Sequence, residues 1–396
     1  MNVKYNSEKS KKTKKIKSFN LLSKPIKRNK SLHKINNSEK ENINSINLKN
    51  IIEDKKIEKS EINKSDLNLI FYKDLSNDSF VDDFFSSIND TFAIFNSFNN
   101  ILYLVYANIE KSILSFDLKN FQKICEIKNA HNKYITNFKH IFESKKKRDI
   151  IMSVSAIDNN LKLWNINNWE CFLEIKNVNK IGALFSASFL FEKNDIFILT
   201  SNYNFFKKKE PIKIFNLKAE NIFEIKFEFS IINIDCYYEK ENDFNKIYII
   251  INAQNKIYSY DYSNKKIYNK YGKNKNSYFS TIVHNNNNIN SKLIASNYNG
   301  LIEIYDFNSG KELNEIDINF KGLYGICLWN EDILLMACTD NTIKIINLKE
   351  KKVINCLHGH NKYVTTLKKI YIPNVGNCLI SQGITADEIK LWKSNY

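Results

Sequence analysis

One stretch occurs twice in this chain of 396 residues. Residues 131–136 read His-Asn-Lys-Tyr-Ile-Thr, and residues 360–365 read His-Asn-Lys-Tyr-Val-Thr. A similar apolar run follows each copy, at 161–164 and at 389–392, and both runs end in tryptophan. A shared beginning and a shared ending at nearly equal separation are typical of a duplicated structural unit. The sequence therefore predicts a repeat protein.

Degenerate copies of the unit occupy the chain between these two copies and before the first of them. Short apolar runs end in an aromatic residue or isoleucine followed by Asp, Asn or Lys, near positions 117, 165, 216, 261, 306, 347 and 393. The runs alternate between apolar and charged residues, as in 302–305, which is the period of a half-buried strand. A more uniformly apolar run, such as 333–337, precedes each ending and suits an inner strand. With two outer runs per unit, the pattern predicts seven units of four strands and an all-β fold.

These units resemble the WD40 repeat, which has four strands, a histidine near its start and Trp-Asp near its end. Gly359-His360 to Trp392 and Ala130-His131 to Trp164 resemble the GH…WD frame of that family. The resemblance covers residues 66–396 and is poor in the third and fourth units, which lack both the histidine and the tryptophan. It implies a seven-bladed β-propeller closed by an N-terminal strand, which the run at 67–75 can supply.

Two sets of side chains could be mistaken for a catalytic Ser/His/Asp arrangement. They are His131, Ser155 (or Ser153), Asp158 and Trp164 in one unit, and His360, Ser381, Asp387 and Trp392 in the other. The resemblance implies hydrogen-bonded tetrads that tie a loop to a turn within one blade. Because catalytic sites seldom come in pairs, we expect both sets to be structural and expect no catalytic residue.

Two groups of residues are candidates for binding a protein or peptide partner. The first group flanks the repeated histidines: Asn132, Lys133, Asn361 and Lys362. The second lies in a long turn between strands: Phe205, Phe206, Lys207, Lys208 and Lys209. Exposed aromatic residues beside basic ones are typical of binding hot spots. The basic run 145–148 is expected at the opposite end of the propeller.

Residues 1–65 are predicted to form a disordered basic arm. The segment is polar and nearly free of aromatic residues, so it cannot bury enough apolar surface to offset its ordering entropy. Within residues 9–30, the run Lys9–Lys17 is typical of a nuclear-localisation or nucleic-acid-binding arm. The alternative is compositional bias, because the whole chain is rich in lysine and carries a formal net charge of +16.

Several function classes find no support in the sequence. The nine glycines form no phosphate-binding loop, and the seven cysteines include no C-x-x-C pair, so we expect no cofactor and no metal. No apolar run is long enough to cross a membrane, and no secretory signal precedes the domain. The sequence thus predicts an intracellular scaffold that binds proteins or peptides, cytoplasmic or nuclear. The alternative is a nuclear factor that associates with nucleic acid through its basic arm.

Overall fold

The computed structural model describes residues 67, 69–75, 90–204, 211–241, 244–254, 256–273, 278–286, 290–384 and 388–394. The predicted arm at 1–65, the turn residues 205–209 and Asp387 lie outside these ranges.

The described strands form seven separate four-stranded antiparallel sheets, the blades. Blade 1 comprises β2 (Phe92–Asn96), β3 (Leu102–Ala107), β4 (Ile113–Asp117) and β5 (Gln122–Ile127); blade 2 comprises β6 (Asn137–Glu143), β7 (Arg148–Ser155), β8 (Asn160–Asn165) and β9 (Glu170–Ile175). Blade 3 comprises β10 (Ala187–Glu192), β11 (Asp195–Thr200), β12 (Ile212–Asn216) and β13 (Asn221–Ile225); blade 4 comprises β14 (Ile231–Glu241), β15 (Phe244–Ala253), β16 (Ile257–Asp261) and β17 (Lys266–Tyr271). Blade 5 comprises β18 (Tyr278–Asn286), β19 (Asn290–Asn297), β20 (Leu301–Asp306) and β21 (Glu312–Asp317); blade 6 comprises β22 (Leu323–Leu328), β23 (Ile333–Cys338), β24 (Ile343–Asn347) and β25 (Lys352–Leu357). Blade 7 comprises β26 (Val364–Ile372), β27 (Gly376–Gly383), β28 (Ile389–Ser394) and, as its outer strand, β1 (Leu69–Asp74).

The ring closes through β1, which comes from the beginning of the domain and pairs antiparallel with β28 at its end. Leu69 lies opposite Ser394, and Phe71 lies opposite Trp392. The last blade thereby gains the fourth strand that the C-terminal unit lacks. The predicted fold, a seven-bladed β-propeller closed by an N-terminal strand, is confirmed.

The core lies between adjacent blades. Phe138 and Ile151 of blade 2, for example, belong to one buried cluster with Val105 of blade 1. The uniformly apolar run at 333–337 forms most of β23, which is buried along its whole length. Such a run needs apolar cover on both faces, and a ring of radially arranged sheets provides it.

The polar residue that ends each of the first six units caps the turn after the third strand. Asp117 Oδ1 accepts a hydrogen bond from the backbone N–H of Lys119 at 2.9 Å. The same side-chain-to-backbone bond recurs at Asn165, Asn216, Asp261, Asp306 and Asn347. Asp and Asn favour this turn because their short side chains reach the backbone two or three residues ahead. The Asp or Asn that ends each of these units thus has a local cause.

The last residue of the same turn has a left-handed backbone. The φ angles are +58° at Phe121, +58° at Trp169, +65° at Ala219, +53° at Lys265, +71° at Gly310 and +56° at Lys351. A left-handed conformation costs a residue with a side chain about 1–2 kcal/mol. The turn bonds and the strand pairing on both sides hold the backbone in this conformation.

A β-bulge interrupts the pairing of the third and fourth strands in every blade. In blade 2 the register shifts at Trp164, so Phe172 has no residue opposite it. The other bulged residues are Ile124, Ile222, Tyr268, Leu313, Ile354 and, in blade 7, Tyr72. Each bulge adjoins the aromatic residue or isoleucine that ends a sequence unit, and it bends the outer strand.

Ala219→Gly is expected to raise the free energy of unfolding by about 0.5–1 kcal/mol. Glycine removes the left-handed strain but loses more backbone entropy on folding, so only part of the strain energy is recovered. Urea denaturation followed by tryptophan fluorescence would measure the change. Lys218→Gly, at the preceding residue of the same turn, is the control and should destabilise; equal effects of both variants would contradict the assignment.

Candidate functional site

The connections of the blades lie at two opposite ends of the propeller. The upper face carries the connections between second and third strands and those that lead from one blade to the next. The lower face carries the connections between first and second and between third and fourth strands. Both repeated loops, 128–136 and 358–363, belong to the upper face.

In blade 2 the histidine loop is tied down by two hydrogen-bonded sets. Ser153 Oγ lies 2.8 Å from His131 Nε2 and accepts a 2.8 Å hydrogen bond from Trp164 Nε1. Ser155, predicted at this bridging position, donates instead to Asp158 at 3.2 Å. The register explains the difference: Ser153 pairs with Lys162, near the tryptophan, whereas Ser155 pairs with Asn160, near the turn that contains Asp158.

Blade 7 contains the same His/Ser/Trp set as blade 2, but a glutamate replaces the aspartate that holds the loop. Ser381 Oγ lies 2.6 Å from His360 Nε2 and accepts a 2.7 Å hydrogen bond from Trp392 Nε1. The carboxylate of Glu388 accepts the backbone N–H of Asn361 at 2.6 Å and lies 3.3 Å from His360 Nδ1. The predicted acid, Asp387, lies outside the described residues. Glu388 was missed because the family pattern specifies aspartate.

The Ser/His/Trp sets hold loops in place, and their side chains are buried. Ser153 and Ser381 are fully buried, and His131 is 3% exposed. Burial, with a smaller effect of the Lys162 charge, lowers the pKa of His131 to about 3, so its imidazole is neutral at physiological pH. A substrate could reach either serine only if the blade opened.

The described residues contain this bridging serine only in blades 2 and 7. The corresponding positions of the other blades, which pair with the same point of the third strand, hold Tyr106, Thr200, Ile251, Ala295 and Met336. Blades 7 and 2 lie on either side of blade 1. The two bridging serines therefore occur in blade 7, where the ring closes, and in the next blade but one.

The repeated loops present their predicted binding residues to solvent. Asn132, Lys133 and Asn361 are exposed, and Lys362 is half-buried. The backbone of Lys133 is fixed by Asp158 at 2.8 Å, as that of Asn361 is by Glu388. The side chains are thus displayed on rigid loops. Residues 205–209, the other predicted binding group, lie outside the described ranges.

Three tyrosines from consecutive blades also lie on the upper face, and two of them were not singled out from the sequence. Tyr298 of blade 5 and Tyr363 of blade 7 are each 44% exposed, and Tyr324 of blade 6 is half-buried between them. Burial, and then the neighbouring phenols of Tyr298 and Tyr363, raise the pKa of Tyr324. We name these three residues the tyrosine cluster. Their backbones are bonded to adjacent strands or loops.

A chain of charged side chains links the first strands of several neighbouring blades and the connection into blade 1. Lys139 Nζ of blade 2 lies 2.6 Å from Asp90 and 2.8 Å from Asp235 of blade 4. Asp90 also lies 2.8 Å from Lys368 of blade 7, and Asp235 accepts a 2.7 Å hydrogen bond from Ser188 of blade 3. Five blades are thereby joined at the axis. None of these residues was singled out from the sequence.

Opposite charges outweigh burial in this network. Burial alone would raise the pKa of Asp90, but the ammonium groups of Lys139 and Lys368 hold it well below its usual range. Burial alone would lower the pKa of Lys139, but Asp235 and Asp90 hold it above its usual range. Both groups therefore remain charged near neutral pH.

Two features are absent from the described residues. No group of three or more His, Cys, Asp or Glu side chains could hold a metal ion. No helix in the same ranges is long and apolar enough to span a membrane.

The structure is a seven-bladed β-propeller, and its GH…WD frame and its two Ser/His/Trp sets resemble those of the WD40 repeat. No protein-family model matches the chain. The chain is similar to the U3 small nucleolar RNA-associated protein 21 homolog of Schizosaccharomyces pombe, at 27% identity over 79 residues. The match spans 20% of this chain and only 9% of that protein's length.

Ser153→Ala is expected to destabilise the protein by about 1–3 kcal/mol, because His131 and Trp164 would each lose a buried hydrogen-bond partner. Ser155→Ala, which removes only the contact to Asp158, should cost less. Urea denaturation of both variants would measure the difference. A larger loss of stability for Ser155→Ala than for Ser153→Ala would contradict the assignment of the bridging hydroxyl to Ser153.

Asp90→Asn is expected to destabilise the protein by about 1–3 kcal/mol at neutral pH, because it removes the carboxylate that pairs with two half-buried ammonium groups. Since the pKa of Asp90 is lowered by folding, its contribution is complete above the unfolded-state pKa of about 4 and declines as the pH falls below it. In denaturation curves, the difference in unfolding free energy between wild type and variant should therefore stay constant from pH 7 to about pH 5 and shrink, without vanishing, between pH 4 and pH 3. Glu350→Gln, in an exposed ion pair, is the control; a constant difference from pH 7 down to pH 3 would refute the coupling.

Proposed function

We propose that this protein is a non-catalytic scaffold that binds a protein or peptide partner on its upper face. The observation that carries the proposal is the tyrosine cluster beside the repeated loop of blade 7. Tyrosine supplies a large contact area at a small cost in conformational entropy, and it is common in binding hot spots. Because the bonded backbones hold the rings in place, little ordering would be needed on binding.

The charge of the upper face favours a partner with acidic residues. Lysines outnumber carboxylates in its described connections. The lysines are Lys111, Lys128, Lys133, Lys176, Lys180, Lys226, Lys256, Lys273, Lys321 and Lys362, and the carboxylates are Asp90, Glu110, Asp158, Glu228, Asp340 and Glu388. Asp158, Asp340 and Glu388 already accept hydrogen bonds within the loops. Complementary charge raises the rate of association and selects among partners.

The step from propeller to scaffold rests partly on analogy, since one fold can carry many functions. Its support here is that the Ser/His sets are buried and structural, while the exposed aromatic and polar side chains lie on rigid loops. Asn132 and Lys133 in blade 2, and Asn361 and Lys362 in blade 7, extend the proposed contact surface on either side of blade 1.

The double variant Tyr298→Ser/Tyr363→Ser is expected to lose part of the set of neighbours found by proximity labelling of the tagged protein in its own cell. Both side chains are largely solvent-exposed, so the fold should tolerate the change. Ile267→Ser is the matched control, because Ile267 is 42% exposed but lies on the outer strand of blade 4. Identical neighbours for wild type and the double variant would remove the tyrosine cluster from the proposal.

A second candidate function is association with an RNA-containing assembly in the nucleus. Two observations favour it: the basic composition of residues 1–65, and the partial similarity to a protein named for its association with U3 small nucleolar RNA. Lysine contacts to phosphate release counterions, so binding should weaken steeply with salt. RNA binding that persists after deletion of residues 9–30, or no binding by the full chain, would count against this role of the arm.

A further inference from the structure

The lower face carries an exposed aromatic pair that the proposed upper-face function does not use. Phe98, in the turn between β2 and β3, is 56% exposed, the highest value among the large apolar side chains that the structure describes. Its ring stacks on Phe142 of blade 2, with centroids 5.5 Å apart and an interplanar angle of 10°. The pair bridges blades 1 and 2.

The turn that holds Phe98 is rigid. Its ends are joined by two 2.9 Å backbone hydrogen bonds, from Ser97 N to Ile101 O and from Asn100 N to Ser97 O. The side chain of Ser97 also accepts the N–H of Ile101 at 3.1 Å. These hydrogen bonds hold the backbone of Phe98 in position, so its ring is presented to solvent in a fixed place.

A buried carboxylate fixes the position of this turn relative to blade 2. Asp149, 2% exposed, accepts the N–H of Phe98 at 2.8 Å through one oxygen and contacts His140 Nε2 at 2.8 Å through the other. His140 in turn stacks on Phe95, with centroids 3.8 Å apart. Contacts from both blades 1 and 2 therefore hold the exposed aromatic pair in place.

Basic side chains flank the pair on both sides. Lys119 donates its ammonium group to the carbonyl of Asn100, in the same turn as Phe98. On the other side, the run 145–148 follows Phe142. Lys145 is paired with Asp195, and both Lys146 and Arg148 are paired with Glu143. Lys147 is exposed and, among the described residues, forms no ion pair. The carboxylates of this region are thus neutralised, and positive charge is left over.

We propose that this lower-face surface, centred on Phe98 and Phe142, is a second docking site, which receives a protein segment with an apolar side chain flanked by acidic residues. The stacked rings accept the apolar side chain, and Lys119 and Lys147 attract the carboxylates. A nucleic acid fits less well, because ion pairs occupy three of the four basic residues in the run 145–148 and leave few charges for phosphates. A held aromatic anchor with a polar rim is typical of a protein-binding site.

The test uses the full chain and fluorescently labelled synthetic peptides with a central leucine or phenylalanine. One set is flanked by glutamates, a second by lysines, and a third has glutamates around a central alanine. We expect the glutamate-flanked apolar peptides to bind, and Phe98→Ser to weaken that binding at least about tenfold. Lys147→Glu should weaken it less. Ile157→Ser, a 51% exposed side chain on the upper face, and Tyr298→Ser/Tyr363→Ser should leave it unchanged.

Several results would overturn the proposal. They are no binding of any glutamate-flanked apolar peptide, binding that Phe98→Ser does not change, and equal binding of the lysine-flanked set. Binding of a single-stranded oligonucleotide that Phe98→Ser abolishes would assign the surface to nucleic acid instead. Self-association of the wild type that Phe98→Ser disrupts would assign it to a second copy of this chain. Because the upper-face variants serve as controls, failure here leaves the scaffold proposal standing.

Discussion

The Asp90 carboxylate lies between the ammonium groups of Lys139 and Lys368, and the geometry of the ring depends on this arrangement. The seven sheets meet at a narrow axis, where the inner strands bring polar groups from several blades within reach of one another. A lone charge there would be costly, whereas alternating charges stabilise one another. Next to Asp90, Thr91 lies 2.9 Å from Thr366 of blade 7. The first and last blades are therefore joined twice, by β1 on the outside and by polar contacts at the axis.

The sequence predicts those features of the fold that have local causes. Three such features are the alternating strand, the Asp or Asn that caps the next turn, and the tryptophan opposite a bulge. Each depends on a few neighbouring residues, so each can be recognised as a repeat in the sequence. The two histidine loops could be paired with their tryptophans for the same reason. Ser153 and Ser155 lie on the same side of one strand, so the sequence could not decide between them. The strand register of the structure decides for Ser153.

The remaining features depend on contacts between residues far apart in the chain. Lys139 of blade 2 and Asp235 of blade 4 form an ion pair, yet in the sequence each looks like an ordinary charged residue on the solvent side of a strand. The tyrosine cluster forms because three successive blades place one residue each at the same end. Phe98 is recognisable as part of a surface only from its contacts with Asp149 and Phe142, which are distant in the sequence. Polar or aromatic identity alone did not distinguish these residues from the many others of the same type.

The seven bulged outer strands limit how other molecules can approach this propeller. A flat strand edge offers an unbroken row of backbone donors and acceptors, onto which a foreign strand can add. Here each outer edge is bent at the same point, opposite the residue that closes a sequence unit, so the row is broken in all seven blades. The circumference of the ring is thereby a poor template for strand addition, amyloid-like growth included. Side-chain recognition is left to the two ends of the propeller, where the loops differ from blade to blade.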